Sequence, residues 1–426
     1  MNSLDGTSRL SCWEQAEAGG VYPWNERGWL ELTGRDRAAF LHSFCTQEIK
    51  KLVPGDVRET FFCQGNGKIV GHGFVVVEPD RLLIATPREH LAALERHLDR
   101  FIIREDVRLA DRSDAAAAAL FCGAAATGLR RAVFGTAEEA VLGSAQGPAA
   151  LSQALSERLS AAIVVYANPW DPQDRTLWVE YPIEANAQSG APTAAVDAGL
   201  SSGSRQWLDR LRAVARDGLH TSDDSLAIWD KTTFDAWRIA LRAPLYGREI
   251  TAEQLPQEVG RDARAISFNK GCYLGQEPVA GSDALGHVNW ELVAFQIAAT
   301  PTVREAADSH GQTNQQMEMQ TNQQTSQPMN QWTEHQAQQR TEPSMAAGPA
   351  VLSPGATVSV DGKPVLRIAT ILPMSSSGWT HAGLGYVRRE ARRTARSSVD
   401  PADPVAEGVL ATSAGMVRIE PRLFLS

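Results

Sequence analysis

Residues 265–297 read AISFNKGCYLGQEPVAGSDALGHVNWELVAFQI, and this stretch carries the most specific information in the chain. A β-type run at 265–268 predicts a short strand that leads into the motif KGCYLGQE at 270–277. Two glycines bracket Cys272, and glycine allows the backbone to turn sharply or to approach a ligand closely. The pattern therefore predicts a cysteine that is presented by a tight loop.

The side chains around this cysteine suggest chemistry. An ammonium group from Lys270 close to the Cys272 sulfur would favour the thiolate, which is the better nucleophile and metal ligand. Gln276 and Glu277 add an amide and a carboxylate, which can recognise the donor and acceptor edge of a heterocycle. The alternative is a buried structural cysteine, because free cysteine is among the most buried residue types. The residues alone leave both possibilities open.

Towards the N-terminus, the sequence alternates helix and strand signals. Residues 28–33 predict a strand, and a helix follows that ends before Pro54. Two β-rich runs within 59–87 are separated by turn formers such as Asn-Gly and Pro-Asp. The segment 88–103 predicts an amphipathic helix with Leu91, Leu94, Leu98 and Phe101 on one face. This order indicates the α+β class with an antiparallel sheet.

The rest of the chain divides by composition. Residues 111–300 predict a second α+β lobe that contains the KGCYLGQE motif, after a first lobe at 1–110. Residues 301–348 are rich in glutamine and poor in aliphatic side chains, which predicts a disordered insertion. Short strands at regular spacing then predict a small β-barrel at 349–426.

Composition excludes several functional classes. The 426 residues carry a formal charge of −9, which gives no general attraction to nucleic acid or to an anionic membrane. The five cysteines are scattered and contain no C-x-x-C pair, so we expect no disulfide framework and no metal site. The N-terminal sequence has no signal-peptide pattern, and no segment is apolar enough to span a membrane. These features predict a cytoplasmic protein.

The motif KGCYLGQE, with AISFNK before it and GHVNWELV after it, closely resembles the signature of the folate-binding YgfZ family. That family is related to the glycine-cleavage T-protein, an aminomethyltransferase, and to mitochondrial proteins of iron–sulfur cluster assembly. The resemblance extends to residues 40–70, 237–250 and 383–390. It implies a three-lobed ring of two α+β folate-binding lobes and a C-terminal β-barrel, with tetrahydrofolate in the central hole.

The residues at positions 71 and 72 distinguish the accessory proteins of this group from its enzymes. T-proteins carry paired aspartates after a Gly-Gly-Ile-type turn, where this chain has Gly71 and His72. A lone histidine in a strand more often has a structural role than a catalytic one. Two further departures, Ala240 and Gly281, replace an acidic residue and an arginine that the family usually has, which weakens the expectation of folate affinity.

The resemblance also implies roles for individual side chains. Trp29 and Phe234 correspond to aromatic positions near the pterin, although both are more often core residues. Arg238 corresponds to a partner of the folate glutamate tail, with a surface arginine as the alternative. Tyr273, Gln276 and Glu277 would complete the cofactor site beside Lys270 and Cys272.

These expectations together describe a tetrahydrofolate-binding accessory protein in the assembly or repair of iron–sulfur enzymes, including enzymes of tRNA modification. It would act through client or assembly proteins rather than as an enzyme, and without contacting nucleic acid or a membrane. The alternative is a folate-dependent aminomethyltransferase related to the T-protein. A third possibility is a folate-sequestering or purely structural relative that has lost the chemistry.

Overall fold

The computed structural model describes residues 10–135, 147–167, 170, 176–182, 202–221, 226–284, 288–298, 352–376, 378–397 and 409–419. The insertion predicted at 301–348 lies outside the described residues. No helix within these ranges is long and apolar enough to cross a lipid bilayer.

The helices vary from a single turn to five turns. They are α1 (Cys12–Ala18), α2 (Arg37–Phe44), α3 (Arg88–Asp99), α4 (Ala124–Phe134), α5 (Pro148–Leu159), α6 (Ser202–Leu219), α7 (Lys231–Ala240), α8 (Asp262–Ala265), α9 (Gln276–Ala284) and α10 (Arg389–Ser397). A short 3-10 helix, Pro256–Val259, precedes α8.

The strands form three antiparallel sheets. They are β1 (Gly19–Pro23), β2 (Arg27–Thr33), β3 (Val57–Cys63), β4 (Ile69–Val77), β5 (Leu82–Pro87), β6 (Arg108–Asp111), β7 (Ala117–Gly123), β8 (Val164–Ala167), β9 (Thr176–Tyr181), β10 (Trp290–Ala298), β11 (Thr357–Val360), β12 (Lys363–Ser376), β13 (Trp379–Arg388), β14 (Val409–Thr412) and β15 (Gly415–Ile419). The sheet orders are β3-β4-β5-β2-β6, β1-β7-β9-β8 and β11-β12-β13-β10-β15-β14.

The first sheet has five strands and packs against α2 and α3. Leu91, Leu94 and Leu98 of α3 are buried against the central strands, as the helical spacing predicts. Phe101 lies just beyond the end of α3 and joins the same core by packing on Phe44. The α+β class and the antiparallel arrangement predicted for this part of the chain are confirmed.

The second sheet recruits a strand from the start of the chain. β1 pairs with β7 in the register Gly19↔Gly123 to Pro23↔Ala119. The helices α4, α5 and α6 cover this sheet and share a hydrophobic core with it. Residues 19–23 therefore belong to the second sheet, although they fall within the first predicted segment.

The third sheet is nearly closed into a barrel. The Ser359 amide of edge strand β11 donates to the Ser413 hydroxyl, and the Ser413 amide donates to the Ser359 carbonyl, which brings the two ends of the sheet together. Strand β10 lies inside this sheet, between β13 and β15. The barrel-like unit thus begins at β10, before the predicted start at residue 349.

The strand predicted at 265–268 is wrong. Ala265 ends the one-turn helix α8, and the Ile266 amide donates back to the Asp262 carbonyl. The Ser267 amide then donates to the Thr46 carbonyl, so this run connects α8 to the end of α2 without a strand partner. A short apolar run is compatible with either a strand or a helix end. Here the hydrogen bond from Ile266 to Asp262 makes it the end of helix α8.

Candidate functional site

A cavity of about 460 Å³ lies between the first sheet and helix α7. One wall comes from β4 and β5 and from the start of α3, and the facing wall comes from α7 and the segment 245–248. The lining residues are Trp24, Glu26, His72, Gly73, Phe74, Ala85, Thr86, Pro87, Arg88, Glu89, Trp170, Lys231, Phe234, Leu245, Tyr246 and Arg248. Its volume suits a small organic molecule.

Aromatic rings form much of the wall. Phe74 meets Trp170 edge to face with centroids 5.2 Å apart, and Trp170 lies 5.4 Å from Trp24. Phe234 of α7 contributes from the facing wall and is stacked on Tyr22, with centroids 4.0 Å apart and an interplanar angle of 2°. These rings offer flat apolar surfaces for a planar heterocycle.

Charged side chains complete the lining, and each of its three cations, Arg88, Lys231 and Arg248, has a carboxylate partner. Arg248 Nη1 lies 2.6 Å from Asp235 Oδ1. Lys231 Nζ lies 3.3 Å from Glu26 Oε1. Arg88 Nη2 lies 2.7 Å from Asp114 Oδ2, a pair in which both side chains are substantially exposed. Because exposed ion pairs contribute little free energy, an incoming anion can compete with Asp114 for Arg88.

The lining also includes a histidine with a buried carboxylate behind it. His72 Nε2 lies 2.8 Å from Glu59 Oε1, and the Arg261 guanidinium grips both oxygens of Glu59 at 2.5–3.1 Å. Burial by itself would raise the pKa of Glu59, but Arg261 and His72 hold that pKa at about 2. Glu59 is therefore a carboxylate at neutral pH, and His72 is oriented by it.

Of the predicted cofactor residues, Phe234 is the one that lines this cavity. Trp29 is buried in an aromatic cluster instead. Its ring stacks on Trp178 with centroids 4.7 Å apart, and its indole N–H donates to Glu180, which also pairs with Arg27 at 3.1 Å. Trp29 is thus a core residue in the structure.

Arg238 is buried within α7 and carries a structural ion pair. Its Nη1 lies 2.8 Å from Glu249 Oε2, and its Nε donates to Asp235 Oδ1 at 2.6 Å. Neither the predicted contact with a glutamate tail nor the surface alternative matches this placement, because the guanidinium has no exposed surface. Two carboxylates already hold it.

Lys270 caps the C-terminal end of α2. Its Nζ donates to the carbonyls of His42, Cys45 and Gln47 at 2.5, 2.6 and 2.8 Å. The last carbonyls of a helix have no intrahelical partner and favour a cation, so this contact stabilises the helix end. An ammonium group has three N–H donors, and these contacts use all three, so no Lys270 N–H remains for the Cys272 sulfur.

Cys272 is exposed, whereas Cys45, Cys63 and Cys122 are buried. The buried-cysteine interpretation of the motif is therefore wrong, and the prediction of a presented cysteine agrees with the structure. Burial raises the pKa of the Cys63 thiol to about 12, which makes it inert. No group of three or more His, Cys, Asp or Glu side chains suited to a metal ion occurs among the described residues.

The other motif residues serve the loop itself. Tyr273 is buried, with Lys270 Nζ 4.8 Å from its ring centroid. Gln276 Oε1 accepts from the Tyr273 amide at 3.3 Å, and Glu277 is exposed. The cavity lining includes none of the motif residues Lys270, Cys272, Tyr273, Gln276 and Glu277. These five residues lie together in the KGCYLGQE loop, outside the cavity.

Two distant segments of the chain meet at a pair of glycines. A Cβ added to Gly275 would lie 2.4 Å from the Gln64 carbonyl oxygen and 3.4 Å from Gly67 Cα. A Cβ added to Gly67 would lie 2.8 Å from Pro278 Cβ. Both glycines have positive φ, +83° and +79°. The turn at 64–68 therefore packs directly on the KGCYLGQE loop.

Sequence reasoning missed most of the cavity. Glu59, which lies behind the cavity, could have been found, because it alternates with Val57, Phe61 and Cys63 on an otherwise apolar strand face and therefore needs a buried partner. Trp24, Trp170 and Arg261 carry no local signal, since their roles depend on contacts far along the chain.

Comparison with known proteins supports the fold. No family model matches the chain, and no curated protein sequence matches it either. Among solved structures, the glycine cleavage system aminomethyltransferase T from Bartonella henselae is similar, with a TM-score of 0.58 and 11% sequence identity. The match covers 97% of this chain and 90% of that one. The chain therefore has a T-protein-like fold.

Proposed function

We propose that this chain is a tetrahydrofolate-binding accessory protein of the YgfZ type, which serves the assembly or repair of iron–sulfur enzymes, including those that modify tRNA. The observation that carries the proposal is the aromatic cavity between the first sheet and α7, in a chain with a T-protein-like fold. The separate, exposed Cys272 supports the accessory role.

The cavity residues fit a folate. A pterin is flat and heteroaromatic, and Phe74, Trp170 and Phe234 supply flat apolar walls. The benzoyl-glutamate part is anionic, and Arg88, Lys231 and Arg248 supply cationic groups in the same lining. Arg88 is the candidate partner for the tail carboxylates, in place of Arg238, which is held by Asp235 and Glu249.

Cys272 supplies a thiol that a partner protein can reach. Its side chain is exposed, and a Cβ added to the neighbouring Gly271 would contact nothing within 4 Å. Such a thiol can engage a cluster, a sulfur species or a client thiol without rearrangement of this chain. We place the protein in the cytoplasm, where thiols stay reduced.

The aminomethyltransferase alternative draws on the fold of the solved neighbour. A carboxylate is present near position 72, but Glu59 is buried behind His72 and held by Arg261, and it does not line the cavity. With its pKa at about 2, Glu59 is a weak base for one-carbon transfer. We therefore expect turnover with an aminomethyl-loaded carrier protein to lie far below that of a typical enzyme, about 10 per second.

Complementation tests the accessory role. In a strain that lacks its own YgfZ-type protein, we expect the wild-type chain to restore iron–sulfur enzyme activity and Cys272→Ser to fail, with an unchanged melting temperature. Cys12→Ser, which removes a half-buried thiol, is the matched control and should complement. Full complementation by Cys272→Ser would contradict a role for this thiol. Rapid turnover in the carrier-protein assay would favour the transferase.

A further inference from the structure

His72 lines the aromatic cavity and is hydrogen-bonded to Glu59, which lies behind it. In the antiparallel register, Phe61 pairs with His72 and Glu59 pairs with Phe74, so all four side chains lie on one face of the first sheet. Phe74 lies in the cavity wall, and His72 lines the same cavity. The imidazole is therefore a polar group within a mostly apolar wall.

The pair fixes the tautomer of His72. Glu59 is an ionised carboxylate, since Arg261 contacts both of its oxygens, and a carboxylate only accepts hydrogen bonds. His72 Nε2 must therefore carry the proton and donate it at 2.8 Å. In the neutral imidazole, Nδ1 is then an acceptor.

We infer that His72 is the specificity-determining residue of this cavity, and that its Nδ1 accepts a hydrogen bond from an N–H group of the bound pterin. Glu59 acts as a positioning residue, because it holds the ring and fixes the tautomer. The inference rests on the proposed function, since it names the side chain that recognises the folate.

Other charged groups lie near His72. Glu59 contacts His72 from behind and is itself held by Arg261, and the cavity lining also includes Glu26, Glu89, Arg88, Lys231 and Arg248. His90 packs on Tyr246, a lining residue, with centroids 4.9 Å apart, and it is the one other histidine next to the described cavity.

The dissociation constant of folinic acid, measured by calorimetry at neutral pH, tests the inference. His72→Phe, which keeps a flat ring and has no acceptor atom, should bind about tenfold more weakly than the wild type. His90→Gln is the control and should behave like the wild type.

A second measurement uses the wild-type chain and does not depend on how a variant folds. Long-range ¹H–¹⁵N NMR should show the Nε2–H tautomer of His72, and bound folinic acid should shift the Nδ1 resonance of this imidazole, because a new hydrogen bond forms at that atom. An unshifted Nδ1 resonance, with equal affinity in His72→Phe, would overturn the inference while folate binding stands. No binding by the wild type or the control would overturn the proposed function and the inference together.

Discussion

Arg238 Nη1 donates to Glu249 Oε2 at 2.8 Å, and both side chains are fully buried. Glu249 also accepts from the Thr370 hydroxyl on β12 and from the Leu245 amide. The pair therefore joins α7, which lines the cavity, to the barrel-like sheet. Its role is to hold the cavity wall in place.

Arg238→Met should lower the free energy of unfolding. The substitution removes the cation from the fully buried Glu249, whereas Asp235 keeps its contacts with Arg248. An unpaired buried carboxylate costs about 3–5 kcal/mol in comparable cases. Urea denaturation measures the loss. Arg108→Gln, at an exposed position, is the control and should change the free energy of unfolding by less than about 0.5 kcal/mol. A stable Arg238→Met chain with weakened folate affinity would instead support the tail-binding role.

Gly275→Ala should separate the KGCYLGQE loop from the turn at 64–68. Residue 275 has φ +83°, and the new Cβ would lie 2.4 Å from the Gln64 carbonyl oxygen. We expect a loss of about 2 kcal/mol or more in the free energy of unfolding. Gly271→Ala, in the same motif, meets nothing within 4 Å and should be nearly neutral. Equal stability of the two variants would show that the loop adapts freely.

Acid should destabilise the protein through His97. Burial, reinforced by the charge of Arg100, lowers the pKa of His97 to about 4 from the ordinary value of 6.5. Between these values the unfolded chain binds a proton that the native state does not, so stability falls as pH decreases from about 6.5 to 4. His97→Gln should flatten that part of the profile in thermal unfolding. His381→Gln, on the barrel-like sheet, is the comparison and should leave the slope intact.

Local patterns in the sequence predicted local structure well. The spacing of Leu91, Leu94 and Leu98 identified α3, and the turn formers near residues 66–67 placed the β3–β4 hairpin correctly. Such features depend on neighbours within a few residues, which the sequence displays directly.

Long-range contacts decided the rest. Lys270 binds carbonyls more than 220 residues earlier in the chain, so its capping role gives no local signal. The cavity collects side chains from segments around residues 24, 72, 86, 170 and 240, and only tertiary packing brings them together. Arg238 was misplaced because Glu249, its partner, lies in a loop whose path α7 does not determine.

Calorimetric titration with folinic acid tests the central claim most directly. The wild-type chain should show saturable binding with a dissociation constant in the micromolar range or weaker, because Ala240 and Gly281 depart from the family pattern. Leu245→Trp, which fills the cavity, should abolish the heat of binding, whereas Leu52→Trp, at a half-buried leucine outside the lining, should bind like the wild type. The absence of detectable wild-type binding at millimolar ligand, or undiminished binding by Leu245→Trp, would contradict a folate site in this cavity.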